Sequence, residues 1–285
     1  MSRLVFGFAA VMFYTMKSPE RIKKMLECFD NDFLVTTMDL SYKRAETIAA
    51  MGFQHRCYLD SGGFTLFRKQ TKFGADSPEF QKECKSMARR FLKLCEILKP
   101  KECFELDNDY FKVNDDLLSP DNFLRQQVYD ILGYYPTPVF KLHQGIAYWK
   151  ALCEDDRYPR LAIGGLAQTR SWHTHTDLLK QMMDYARLHG KKVHLLGCQN
   201  VQAFKEVQPD TVDYNIWQYA INLQAVKNDI GKLRGMSKEE ITAYRPHTWE
   251  THEHMVLYGL ARAKARSFLY DAFMKSQDDN LESDA

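Results

Sequence analysis

Eight short apolar runs punctuate the chain, each separated from the next by a segment that can form a helix, and that alternation restricts the fold more than any other feature. The runs are LVFGFAA from Leu4, FLVTTM from Phe33, CYLDSGG from Cys57, CFELDND from Cys103, PVFKLHQG from Pro138, LAIGGLA from Leu161, KVHLLGCQ from Lys192 and TVDYNIW from Thr211. Runs of this length, many rich in β-branched or aromatic residues, read as strands. Connections long enough to carry a helix make those strands parallel and buried on both faces. The intervening segments SPERIKKMLECF, SYKRAETIAAM, SPEFQKECKSMARRFLKLCEILK, SPDNFLRQQVYDIL, IAYWKALCE, HTDLLKQMMDYARLHG and NVQAFKEV have helical periodicity. Three of them open on Ser-Pro, which supplies an N-cap hydroxyl followed by a residue already fixed at helical φ.

Eight strand-helix units are the count of a (β/α)8 TIM barrel, an α/β fold whose active sites lie at the carboxyl ends of the strands. An open doubly wound sheet is the alternative, disfavoured because no G-x-G-x-x-G follows the first strand. At 285 residues, 45% of them hydrophobic, the chain can fill one large core. The expected division is a barrel over residues 1–230, a C-terminal helical extension packed on it over 231–273, and a disordered tail over 274–285.

No apolar stretch approaches the ~18 residues of a membrane span. The seven cysteines, at 28, 57, 84, 95, 103, 153 and 198, form no C-x-x-C or C-x-C pair. A reduced, cytoplasmic protein that does not engage a membrane is expected. Cys84 and Cys95 fall about three turns apart on one helix face, the placement of buried thiols rather than ligands. A formal charge of +2 permits a nucleic-acid partner without arguing for one. The basic stretch FRKQTK, with Arg68, Lys69 and Lys72, reads as a loop that can meet phosphates.

Chemistry enters where polar residues stand in strands that are dry on both sides, since a carboxylate there is costly unless paired or used. Asp60 ends the third run. Asp107 and Asp109 follow on the fourth, where alternation places them on one face with Glu105 and opposite Phe104 and Leu106. Asp213 lies on the eighth, opposite the face of Val212, Tyr214 and Ile216. Gln144 follows the fifth run, and Gly164-Gly165 closes the sixth. These positions converge on one rim, a pattern suited to carboxylate chemistry on a sugar or a base. His173-x-His175 and His252-x-His254 have no accompanying cysteine motif, and no metal site is expected. Ser61 lacks a G-x-S-x-G elbow.

The segments LDSGGF (59–64), FELDND (104–109), HQG (143–145), AIGGLA (162–167), VHLLGC (193–198) and VDYNIW (212–217) occur in an order and spacing that resembles the tRNA-guanine transglycosylase superfamily. That family uses a (β/α)8 barrel to exchange guanine in a nucleic acid for a free 7-deazaguanine base, without ATP, redox cofactor or metal chemistry in the exchange. The resemblance implies that Asp213 is the nucleophile and Asp60 the general acid/base. It further implies that Asp107, Gln144, Gly164, Gly165, Leu166 and Ser61 surround the base, with Phe64 stacking on it. The zinc cluster that follows the barrel in the tRNA enzymes is missing after Cys198, and WQYAIN replaces the basic segment after the nucleophile. The chain therefore looks more like the DpdA-type DNA 7-deazaguanine transglycosylases of bacteria and phages, without a zinc subdomain, and the implied partner is DNA.

Two alternatives accompany this expectation. One is a zinc-free enzyme acting on tRNA. The other is a non-catalytic nucleic-acid-binding subunit, against which the presence of both Asp60 and Asp213 counts. A two-carboxylate glycoside hydrolase leaves AIGGLA unexplained. The sequence does not fix the oligomeric state.

Overall fold

The computed structural model describes residues 4–8, 19–27, 32–107, 123–165, 175–197, 206–214 and 235–243. All eight apolar runs form strands: β1 (Leu4–Phe8), β2 (Phe33–Thr36), β3 (Cys57–Asp60), β4 (Glu102–Cys103), β5 (Val139–Phe140), β6 (Arg160–Ile163), β7 (Lys192–Leu195) and β8 (Thr211–Tyr214). They join in one parallel sheet in the order β4-β3-β2-β1-β8-β7-β6-β5. Between its two end strands lies a further parallel bridge, Phe104 to Thr137. There Thr137 N–H donates to Cys103 O at 2.8 Å and Glu105 N–H to Thr137 O at 3.0 Å.

The helices among the described residues are α1 (Pro19–Glu27), α2 (Tyr42–Ala50), α3 (Gly63–Phe73), α4 (Pro78–Leu98), α5 (Phe123–Leu132), α6 (Ile146–Glu154), α7 (Thr176–Leu188) and α8 (Lys238–Ala243). Residue chemistry sets their ends. Ser41 and Ser77 cap α2 and α4 by accepting the Arg44 and Phe80 N–H groups, and Pro78 occupies the first turn of α4. Along α4 the buried residues Phe80, Cys84, Met87, Phe91, Leu94, Cys95 and Leu98 recur every three or four positions. That stripe packs α4 against α2, α3 and α5. Cys84 and Cys95 are fully buried free thiols, as their spacing indicates.

Strand alternation divides the core in two. Phe33, Val35, Cys57, Leu59, Leu161, Ile163, Val193, Leu195 and Val212 join the helices in the main cluster. Leu34, Tyr58, Phe104, Val139 and Ala162 pack together on the opposite face of the sheet. A polar layer crosses that second face at the amino ends of the strands. Arg160 Nε lies 3.2 Å from Glu102 Oε2, and Arg160 Nη1 lies 3.3 Å from both the Tyr58 hydroxyl and Thr211 Oγ1.

Two expectations are corrected. The segment with Arg68, Lys69 and Lys72 is not a loop: it belongs to α3, an eleven-residue helix that begins directly after Gly62. Gly62 adopts a φ of +88°, so the strand turns at that single residue and the helix follows at once. Glu105 and Asp107 do not share a face. Pairing ends with the Phe104–Thr137 bridge, and Glu105 still alternates. Opposite Phe104 it enters the helix layer, where Arg125 Nη2 and Nε meet its Oε2 at 2.5 and 3.0 Å and Val139 N–H meets its Oε1 at 2.7 Å, whereas Asp107 lies past the bridge and meets Lys141. Of the expected C-terminal extension, residues 235–243 are described. Its remainder and the tail over 274–285 lie outside the described residues.

Candidate active site

Asp60 is the last residue of β3, paired in register with Thr36 of β2. Its backbone is locked from the neighbouring strand, since Thr37 donates to the Asp60 carbonyl from both its N–H (2.9 Å) and its hydroxyl (2.8 Å). Its carboxyl accepts hydrogen bonds from the Gly62 backbone and the Thr36 side chain. Burial first, and then the charges of Asp107 and Asp213, nevertheless push the Asp60 carboxyl up from the ordinary carboxylate range to about 7. Three carboxyl groups from β3, from the segment after β4 and from β8 therefore act on one another at the carboxyl ends of the strands.

Each of the other two has its own partner. Asp107 faces Lys141, which follows β5: Nζ lies 3.3 Å from Oδ2 and also donates to the Asp107 carbonyl. The ammonium thus pairs with the same carboxylate whose charge acts on Asp60. Asp213 is 7% exposed, and its Oδ1 accepts the Gly197 N–H from the turn after β7. His194 of β7 is fully buried, with Nε2 at 3.5 Å from that same Oδ1.

Glycine supplies the clearance. A Cβ on Gly63 would stand 1.6 Å from Asp107 Oδ1, so the carboxylate occupies space that any other residue at the start of α3 would fill. A Cβ on Gly164 would stand 2.8 Å from Val139 Cγ1 and 3.7 Å from Asp107 Oδ2, while Gly165, with a φ of +79°, faces open space. The backbone after β6 thus borders the same carboxylate.

Ser61 is buried beside Asp60, and Phe64, on the first turn of α3, is 58% exposed. Gln144 lies in a short 3-10 turn, Leu142–Gln144, where its side-chain oxygen accepts the Lys141 N–H at 2.6 Å. Gln144 therefore holds the turn that carries Lys141 to Asp107. Arg68 and Lys72 are exposed on α3, with the Lys72 ammonium 4.9 Å from the Phe73 ring centre, whereas Lys69 pairs with Glu83 at 2.5 Å. Leu166, Asp109, Cys198, His173, His252 and His254 lie outside the described residues. Among the described residues no group of three or more His, Cys, Asp or Glu side chains is arranged to hold a metal ion. Among them, too, no helix is long and apolar enough to cross a membrane.

Lys141 and His194 were not singled out by the sequence reading. Lys141 sits between apolar Phe140 and Leu142, and His194 between Val193 and Leu195, so each is a lone polar residue in an apolar run. That is the same signal that marked Asp213, and it would have found both.

The arrangement can hold one proton at neutral pH on Asp60, between a carboxylate paired with an ammonium and a carboxylate steadied by a backbone N–H. No protein-family model matches the chain, and no curated protein matches it. Among solved structures, the crystal structure of the citrate synthase SbnG is similar at a TM-score of 0.47 and 9% identity, covering 82% of this chain and 94% of that one.

Proposed function

We propose that the chain is a transglycosylase that exchanges guanine in DNA for a free 7-deazaguanine base, on a sheet closed as a (β/α)8 barrel. The closure is supported by the parallel bridge between Phe104 and Thr137, which lies between the two end strands of the sheet. The observation that carries the function is the convergence of Asp60, Asp107 and Asp213 at one set of strand ends, with Asp60 poised near neutrality.

In this reading Asp213 attacks C1′ of the target nucleoside through its free oxygen, Oδ2. The C1′–N9 bond breaks through an oxocarbenium-like state, its electron pair leaves on N9, and a glycosyl ester forms on Asp213. Protonated Asp60 donates to the departing guanine. The incoming 7-deazaguanine returns a proton from its own N9 to Asp60 and takes C1′ from the ester, so charge and protons balance over the cycle. One N-glycosidic bond replaces another.

Asp107 selects the base. Its carboxylate accepts both N1–H and the 2-amino group of guanine, whereas adenine presents it neither donor. Gly63 leaves room for that carboxylate itself, Gly165 borders open space for the ring, and Phe64 offers a stacking surface at the start of α3. The target base must leave the duplex to reach this depth. Arg68 and Lys72 on the same helix would hold the backbone beside it.

The experiment combines the protein with DNA, or in parallel tRNA, and a labelled 7-deazaguanine. Exchange and covalent trapping on DNA, both lost in Asp213→Ala, are expected. Trapping that persists in Asp213→Ala would remove the nucleophile assignment, and exchange on tRNA alone would move the substrate to RNA.

A further inference from the structure

His194 is a buried imidazole for which the exchange chemistry has no assigned use. It stands in the middle of β7, fully buried, with Phe104 at 4.8 Å and Tyr58 at 6.3 Å between ring centres. Its Nδ1 lies 2.8 Å from Thr211 Oγ1. Its Nε2 is completely buried, makes no hydrogen bond, and stands 3.5 Å from Asp213 Oδ1. A buried nitrogen left without a hydrogen bond is costly, and this one is directed at the carboxylate of the proposed nucleophile.

We propose that His194 is a positioning residue for Asp213, presenting an Nε2–H to Oδ1 and thereby selecting Oδ2 as the attacking oxygen. This rests on the base-exchange reading for its purpose, whereas the facing of Nε2 and Oδ1 at 3.5 Å is independent of it. The tautomer follows from what each ring nitrogen faces. Arg160 can only donate, and its Nη1 lies 3.3 Å from Thr211 Oγ1, so the Thr211 oxygen accepts there. The Thr211 hydroxyl can serve Nδ1 as donor or as acceptor, whereas Nε2 faces only the Asp213 carboxylate oxygen, so the ring proton belongs on Nε2: a bare lone pair there would meet another.

Oδ1 already accepts the Gly197 N–H. With a second donor on the same oxygen the carboxylate cannot rotate, and Oδ2 alone keeps its lone pairs free. In the glycosyl ester Oδ1 becomes the carbonyl oxygen and keeps both donors. When the incoming base displaces the ester, they receive the returning negative charge without reorganising. Glu102 and the Tyr58 hydroxyl hold Arg160, which donates to Thr211 and so braces the ring from the far side.

The test has two arms. In the first, nitrogen NMR of the ring-labelled wild-type protein reports which imidazole nitrogen is protonated, and a proton on Nε2 is expected. A neutral ring carrying its proton on Nδ1 overturns the proposal whether or not the protein exchanges bases. In the second arm, His194→Phe keeps the ring packing against Phe104 but removes the donor, and His194→Gln restores an N–H at similar reach. With folding checked by thermal denaturation, His194→Phe should slow single-turnover trapping by about 10- to 100-fold with little change in KM for the free base, and His194→Gln should recover part of the loss. Trapping by His194→Phe at the wild-type rate also overturns the proposal. If the wild-type protein traps neither DNA nor tRNA, the base-exchange reading fails, and the tautomer measurement still decides the Asp213 pairing.

Discussion

Replacing Asp60 by asparagine should stabilise the protein, and by an amount that depends on pH. The folded protein holds the Asp60 carboxyl at about 7, against an ordinary value of 3.8. A carboxyl raised in this way favours the folded state fully below about pH 4, where both states are protonated and burial carries no charge. Between about pH 4 and 7 the unfolded chain ionises while the folded one does not, so stability falls by about 1.36 kcal/mol per pH unit. Above about 7 both states are ionised and the loss is constant. The gap of about three units corresponds to at most about 4 kcal/mol. Because the side chain is only partly buried at the ends of the strands, solvent screening reduces this to about 2–4 kcal/mol. The asparagine amide keeps an oxygen for the Gly62 and Thr36 hydrogen bonds but never ionises. For a chain of 285 residues the gain corresponds to a rise in Tm of roughly 3–7 °C. Differential scanning fluorimetry of wild type and Asp60→Asn from pH 4 to 9 should show a Tm difference near zero at pH 4, growing to a plateau above 7. A difference that is flat with pH, or largest in acid, would refute the idea that the neighbouring carboxylates and burial hold a proton on Asp60.

Three further perturbations probe other parts of the molecule. Arg125→Met strands the Glu105 carboxylate in a pair whose side chains are each only 4% exposed, and chemical denaturation should register a loss of about 3–5 kcal/mol; adding Glu105→Gln should recover much of it. Gly63→Ala should leave secondary structure intact by circular dichroism while raising KM for the free base at least ~10-fold, because its Cβ, 1.6 Å from Asp107 Oδ1, forces that carboxylate away. Arg68→Glu with Lys72→Glu should weaken binding to single-stranded DNA and lower the slope of log K against log salt by about 2, measured by fluorescence anisotropy between low and moderate salt; an unchanged slope would remove α3 from the backbone contact.

The strands were legible because each is a short run with turn residues at its ends, and eight such runs allow few topologies. The Ser41 and Ser77 caps and the buried stripe of α4 were equally local, since capping and 3.6-residue periodicity depend on neighbours in the chain. Helix α3 was not legible. Two glycines and a cluster of basic residues have the composition of a loop, and what makes the segment helical is the burial of Leu66 against Phe80, Cys84 and Met87, which come from elsewhere in the chain. The face shared by Glu105 and Asp107 failed for a related reason: alternation predicts side-chain direction only while the ladder continues, and Glu105 still obeys it opposite Phe104 whereas Asp107 lies past the last paired residue.

By itself, then, the sequence determined the order and number of strands, most of the described helices between them, and the three aspartates at the strand ends, because these follow from hydrophobic patterning and from the cost of a carboxylate in a dry strand. Only the tertiary structure decided what each aspartate can do. Asp60 keeps its proton near neutrality, Asp107 is met by Lys141, and Asp213 is met by Gly197 and His194. These distinctions depend on which charges and donors lie within a few ångströms across strands far apart in the chain, and electrostatic energies at that range are set by distance and burial, neither of which is written in sequence spacing.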